Sequence, residues 1–201
     1  MVHEKPPFHD LIVDIQQIRE HKDPAPLFDA VEGDLLDGEY HFTSSEATLN
    51  FMSRRIENAC FSDRHRCTLY SVFRRLSLLE PHIEHYHKLA DAARHIYIIG
   101  VPDIEVRPWA PNVHILTHAA EKLANNWVTI NLSRDIHMTL LAEQLPSDDQ
   151  GRHYAGFYTD SRTLTRRVIR QLMEMAIIQQ PDLFTEEELE QAGGPEAVEE
   201  G

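Results

Sequence analysis

The sequence predicts an α/β fold: a mainly parallel or mixed central sheet flanked by helices, with a helical N-terminal part and a flexible acidic C-terminal tail. Three observations carry that reading. Strand-like and helix-like segments alternate through most of the 201 residues, an order that places helices on the faces of a sheet. Ile96 to Ile99 is an unbroken apolar run closed by Gly100, as in a strand covered on both faces. The apolar fraction of 42% is near the globular norm and supports a real core.

Phe8 to Ile18 reads as a short amphipathic helix, with Leu11, Ile12, Ile15 and Ile18 at helical spacing. The HKDPAP segment breaks it, because proline removes a donor and restricts its neighbour. Residues 26–42 carry only punctuation, at Gly33 and Gly38. Thr43 and Glu46 have capping-box spacing and predict a helix start there, with Ser44 and Ser45 as alternative caps. Leu49, Met52 and Ile56 form its apolar stripe, with Arg54 and Arg55 off it. CTLYSVF, from Cys67, is rich in β-branched and aromatic residues and predicts a strand. A helix follows over about Leu78 to Arg94, with Pro81 in its first turn and Ile83, Tyr86, Leu89, Ala90 and Ala93 as its buried face.

After the Ile96–Ile99 strand come a strand at Val113 to Leu116, a short helix at His118 to Asn125 and a strand at Trp127 to Leu132. Ile136 to Glu143 is ambiguous. Its methionine and leucines favour helix and its neighbours favour strand, and strand is the reading taken. LPSDDQGR is a loop by composition. YAGFY is a strand, and Asp160 or Ser161 caps a last helix running to about Ile178. Leu164, Val168, Leu172 and Met175 line its apolar side; Arg162, Arg166, Arg167 and Arg170 line the other. No internal repeat is visible. The chain divides into a helical extension (1–42), an α/β domain (43–180) and an acidic tail (181–201).

The formal net charge is −14, which repels a phosphate backbone; direct nucleic-acid binding is not expected. The acidic excess gathers between Thr185 and Gly201, where low hydrophobicity and high charge favour a solvating, disordered tail over a partner-binding one. No run of eighteen apolar residues and no secretory leader is present, so membrane insertion is not expected and the location is read as cytoplasmic. Cys60 and Cys67 match no metal, haem or redox spacing and read as reduced, structural thiols.

Several groups could carry chemistry, and each has a plainer reading beside it. Gly100 to Asp103 (GVPD) follows a buried strand, at the end where open α/β sheets bind ligands. Gly100 would let a ligand approach the backbone and Asp103 would hydrogen-bond it; the plainer reading is a structural turn. A lone glycine is no nucleotide-binding fingerprint. Trp109, between Pro108 and Pro111, is either a pocket lid or a loop anchor, whereas Trp127 reads as core. Arg74 and Arg75 follow a strand and could meet an anionic ligand, although pairing with the abundant carboxylates is the plainer outcome. His82 and His85 can share a helix face and His87 points elsewhere. A transition metal would need distant ligands such as His114, His118 or His137, so surface titration is favoured over a metal site. No G-x-S-x-G elbow is present, and the carboxylates are too numerous for spacing to pick an acid/base pair. No catalytic residue and no cofactor is assigned.

Three segments in order, YSVFRRLSLLEPHIEHYHKLADAARHIYIIGVPD, NNWVTINLSRDIHMTLLAEQL and GRHYAGFYTDSRTLTRRVIRQL, resemble the DICT family of bacterial signalling sensor domains. Together they span about Thr43 to Gln179. The resemblance implies a non-catalytic sensory or regulatory module of the kind that accompanies diguanylate cyclases, histidine kinases or DNA-binding outputs, and hence a place in two-component or cyclic-di-GMP signalling. Nothing in the chain is long enough to be an attached output domain, which implies a stand-alone module acting in trans on a signalling protein. A small-molecule ligand is expected, for which the local patterns above offer Gly100, Asp103, Trp109, Arg74 and Arg75, and a homodimer is expected by analogy with signalling domains. A protein-interaction adaptor without a small ligand and a metal- or cofactor-binding protein are the alternatives.

Overall fold

The computed structural model describes residues 40–117, 123–146 and 152–177. The expected helix at Phe8 to Ile18, most of the expected helix at His118 to Asn125 and the acidic tail lie outside the described residues. Seven strands form one sheet: β1 (Tyr40–Ser45), β2 (Thr68–Arg75), β3 (His95–Val101), β4 (Val113–Leu116), β5 (Asn126–Leu132), β6 (His137–Gln144) and β7 (His153–Thr159). Their order is β1-β7-β6-β5-β2-β3-β4. Only β2–β3 and β3–β4 are parallel; every other neighbouring pair is antiparallel. The sheet is therefore mixed, its parallel part confined to one edge.

Between β1 and β2 runs α1 (Glu46–Ala59). A 3₁₀ segment (Leu76–His82) and α2 (Ile83–Ala90) connect β2 to β3, and α3 (Arg162–Ile177) follows β7. Ile136 to Glu143 resolves as strand β6, held between β5 and β7. Ile96 to Ile99 is buried throughout because β3 has a parallel neighbour on each side and helices on both faces.

Three expectations need correction. The helix does not start at Thr43. Residues Tyr40–Ser45 pair with β7, Ser45 opposite His153, and the helix begins after Ser45, one of the two alternative caps, whose extended backbone makes it the N-cap. The capping-box spacing is a local signal, overridden here by a long-range strand partner. The single helix expected over Leu78 to Arg94 is two pieces, because Pro81 lies within the 3₁₀ segment and the regular helix starts only after it. Cys60 and Cys67 are not separate thiols: their Cα atoms lie 5.8 Å apart and the sulfurs are bonded. A tight return from the end of α1 into β2 brings them together, closing a loop in which His65 takes the left-handed conformation (φ 62°).

Strand alternation sends side chains to opposite faces. On one face Tyr70, Val72, Val128, Ile130, Leu141 and Phe157 pack with Val168, Ile169, Leu172 and Met173 of α3 in a continuous apolar cluster. A buried 2.8 Å contact between the hydroxyls of Thr139 and Thr165 ties α3 to β6. The opposite face carries two clusters. One gathers Leu69, Ile96 and Ile98 with Leu76, Leu79, Tyr86 and Leu89; the other gathers Leu140, Ala142, Tyr154 and Tyr158 with the predicted α1 stripe of Leu49, Met52 and Ile56.

Candidate ligand cavity

The gap between those two clusters is polar and partly empty. Ser53 and Glu57 project from α1 beside its apolar stripe, and both are buried. Below them β5 presents Thr129 and Asn131. Ser53 lies 2.8 Å from the Thr129 hydroxyl and accepts a 2.8 Å hydrogen bond from the Trp127 indole. The Asn131 amide donates to the Ile56 carbonyl at 3.0 Å. Buried polar groups need such partners to offset desolvation.

Glu57 is the hub. Tyr86 donates to Oε1 at 2.7 Å, His85 Nε2 lies 3.1 Å from Oε2, and Arg54 reaches Oε2 at 3.4 Å. Burial, reinforced by the Glu57 carboxylate, pushes the Tyr86 phenol well above its ordinary range and keeps it a donor. Arg54 also donates to His82 Nδ1 at 3.0 Å. A guanidinium has no acceptor, so that nitrogen carries no proton. Burial, then the Arg54 charge, holds His82 below its usual value, in agreement with that tautomer.

Beside this network lies a cavity of about 230 Å³, far above the ~15 Å³ that one water needs. Ser71 and Phe73 of β2 and Trp127 and Thr129 of β5 line its floor, and α1 supplies Asn50 and Arg54. The 3₁₀ segment contributes Leu78, Pro81 and His82, while β7 and the residue before it contribute Tyr154 and Arg152. Trp127 and Tyr154 meet edge to face at 5.7 Å, forming an aromatic corner.

Two residues of the lining matter most for a ligand, Asn126 and Arg74. Asn126 opens β5, is 4% exposed, and has neither amide atom hydrogen-bonded among the described residues. Arg74 also lines the cavity. The β2–β3 register passes from Phe73 opposite Gly100 to Arg75 opposite Val101, so Arg74 is the extra residue of a bulge. Bulges re-aim side chains, and this one adds Arg74 to the floor already formed by Ser71 and Phe73.

Of the five residues singled out from sequence, Arg74 alone lines this cavity. Asp103 accepts from the Ser77 amide at 2.9 Å and the Ser77 hydroxyl at 2.6 Å, and those bonds hold its carboxyl below the usual range. Arg75 is exposed near that carboxylate. Gly100 makes room for Leu76: a Cβ there would come 2.7 Å from Leu76 Cδ2 and 3.1 Å from the Phe73 carbonyl. Trp109 is half-buried against the α2 cluster, its ring 5.0 Å from that of His87. The histidines disperse: His82 to Arg54, His85 to Glu57, and His114 to within 3.3 Å of His95. Among the described residues no group of three or more His, Cys, Asp or Glu side chains is placed to hold a metal ion, and no helix is long and apolar enough to cross a membrane.

Sequence reasoning missed Ser53, Glu57, Asn126, Arg152 and Tyr154. Ser53 and Glu57 had a signal, since residues four apart share a helix face and these two flank the stripe of Leu49, Met52 and Ile56. Asn126, Arg152 and Tyr154 had none, because strands distant in sequence bring them to the cavity.

A family model for DICT, described as a sensory domain in diguanylate cyclases and two-component systems, matches residues 35–145, more than half of the chain. No curated protein and no solved structure matches.

Proposed function

The chain belongs to the DICT family of sensory domains, and from that premise we propose that the cavity between α1, the 3₁₀ segment and strands β2, β5 and β7 is where its signal is received. The signal is a small molecule with an anionic group for Arg74 and Arg152 and a planar or apolar body for the corner formed by Trp127 and Tyr154. The reading places no catalytic step there. Glu57 is engaged by Tyr86, His85 and Arg54, and Ser53 is occupied by Trp127 and Thr129. Neither is a free base or nucleophile. Occupancy would pass to a signalling partner of the histidine kinase or diguanylate cyclase kind in the cytoplasm, through a ligand that favours one of two arrangements of α1 over the sheet.

Asn126 carries this reading. A buried amide with both atoms unpaired costs free energy that a ligand's donor and acceptor would recover. The test is native mass spectrometry of protein purified from its own host, set against the denatured mass, for the wild type and for Asn126→Leu and Arg74→Glu. We expect a bound small molecule on the wild type that both variants lose. A bare wild-type mass, or an adduct that survives both substitutions, removes the cavity from the mechanism.

One observation favours a second reading, a protein-docking face. Phe51 on α1 (48% exposed) and Leu78 at the cavity rim (40%) are large apolar side chains left in solvent. A co-purifying protein whose binding fails in Phe51→Asp, on a chain of bare mass, would put that reading first.

A further inference from the structure

The other end of the same two central strands carries a second cleft, of about 410 Å³. The cavity described above lies where β2 ends and β5 begins. This cleft lies where β2 begins, at Thr68, and β5 ends, at Leu132 and Ser133. Its lining runs against the composition. The chain has 33 acidic residues to 19 basic ones, yet five arginines line the cleft and no carboxylate does.

The five arginines come from four structural devices. Arg66 rides on the loop closed by Cys60 and Cys67, and that loop is also held by the His65 amide donating to the Ala92 carbonyl at 2.6 Å. Arg94 immediately precedes β3. Arg134 stands at the tip of the β5–β6 turn, which Ser133 fixes by accepting from the amides of Asp135 and Ile136 at 3.3 and 3.0 Å. Arg162 and Arg166 lie one turn apart at the start of α3, the end of a helix that favours negative charge. Nearby carboxylates offset part of this charge: Asp63 lies 4.0 Å from Arg66, and Asp135 and Asp160 act on His137.

Two buried nitrogens of the cleft have no hydrogen-bond partner among the described residues, Nε of Arg166 and Nε2 of His137. Burial, and then Arg162, lowers the Arg166 guanidinium from its usual value; burial, and then Arg162 and Arg166, lowers His137. Like charges gathered on rigid elements cost free energy until an anion arrives.

We infer that this cleft is a second binding site, for the phosphate groups of a small phosphorylated molecule. Guanidinium groups on several elements suit the tetrahedral, multiply charged oxygens of a phosphate chain, which each Arg can grip with two parallel bonds. A carboxylate offers one plane and one charge. The convergence of arginines from the disulfide loop, a turn and a helix start on one cleft suits a compact anion better than a nucleic-acid backbone, which the net charge of −14 also repels.

The test is isothermal titration of the full chain with inorganic pyrophosphate, in buffer holding a constant excess of sulfate. We expect saturable binding at one site, weakened by about tenfold or more in Arg134→Glu/Arg162→Glu, since each lost charged hydrogen bond is worth roughly that factor. Both side chains are exposed, and circular dichroism checks the fold. If the double variant is misfolded, Arg162→Gln alone is read, with at least a severalfold loss expected. Asn126→Leu, at the other end of the strands, should bind pyrophosphate as the wild type does. Absence of saturable binding overturns the inference, as does binding that the charge reversals leave intact. A glutamate-rich peptide that binds as tightly as pyrophosphate overturns it in favour of an acidic protein segment.

Discussion

Under α3 the sheet presents Tyr70, Val72, Val128, Ile130, Leu141 and Phe157 as one apolar surface, whereas under α1 and α2 the apolar side chains fall into two groups parted by Ser53, Glu57 and Thr129. The first arrangement is what burial alone selects: contiguous area removed from water, with little polar surface to desolvate. The second gives up contiguity. Its polar band must be satisfied bond by bond, and where the bonds run out, at Asn126, a cavity remains. One face of the sheet holds the fold and the other leaves room for a ligand.

The division predicts different costs on the two faces. Phe157→Ala, fully buried under α3, should lower unfolding stability by about 4 kcal/mol, since a dry core cannot close around the space left by an aromatic ring. Urea denaturation monitored by far-ultraviolet circular dichroism measures it. Glu57→Gln, on the divided face, should cost less, about 2 kcal/mol, the range for losing hydrogen bonds to a charged group. The same titration reads it. A Glu57→Gln cost equal to that of Phe157→Ala would break the comparison, because the polar band would then be as central to the fold as the core.

The smallest effect is one of pH. His82 on the divided face sits below its ordinary value through burial and Arg54, and His137 does so through burial, Arg162 and Arg166. Their folded-state values lie below the unfolded value near 6.5, so the unfolded chain binds protons more readily on acidification. Their contribution to stability is fully present above about pH 6.5 and is lost as the pH falls from there through the folded values. His82→Gln should flatten part of that decline without removing it, as read from urea midpoints between about pH 7 and pH 5.

The same contrast explains what could be read before the structure. Ile96 to Ile99, Trp127 to Leu132 and Val168 to Leu172 are legible because burial leaves a pattern in the sequence, an unbroken apolar run where both faces are covered and a period where one is. The strand at His137–Gln144 was settled less by its own composition than by the strands around it. The helix start was misplaced at Thr43, and the strand at Tyr40–Ser45 was not seen, because its decisive partner, His153 to Tyr158, lies more than a hundred residues away. The cavity was legible only at Arg74, and for an incomplete reason: its place after an apolar run was visible, the bulge that turns it into the cavity was not. Asn126 carries no signal as a residue type. Its unmet hydrogen bonds exist only once β5, β2 and α1 have met.

The junction of β1 with α1 has a mechanical consequence. Ser45 is both the last residue of the strand and the cap of the helix, so no slack separates an outer strand of the sheet from the helix that roofs the cavity. A pull on the chain ahead of Tyr40 that slides β1 along β7 must drag the start of α1, and with it Asn50 and Arg54. Conversely, a ligand that wedges α1 away from Trp127 must load the β1–β7 pairing.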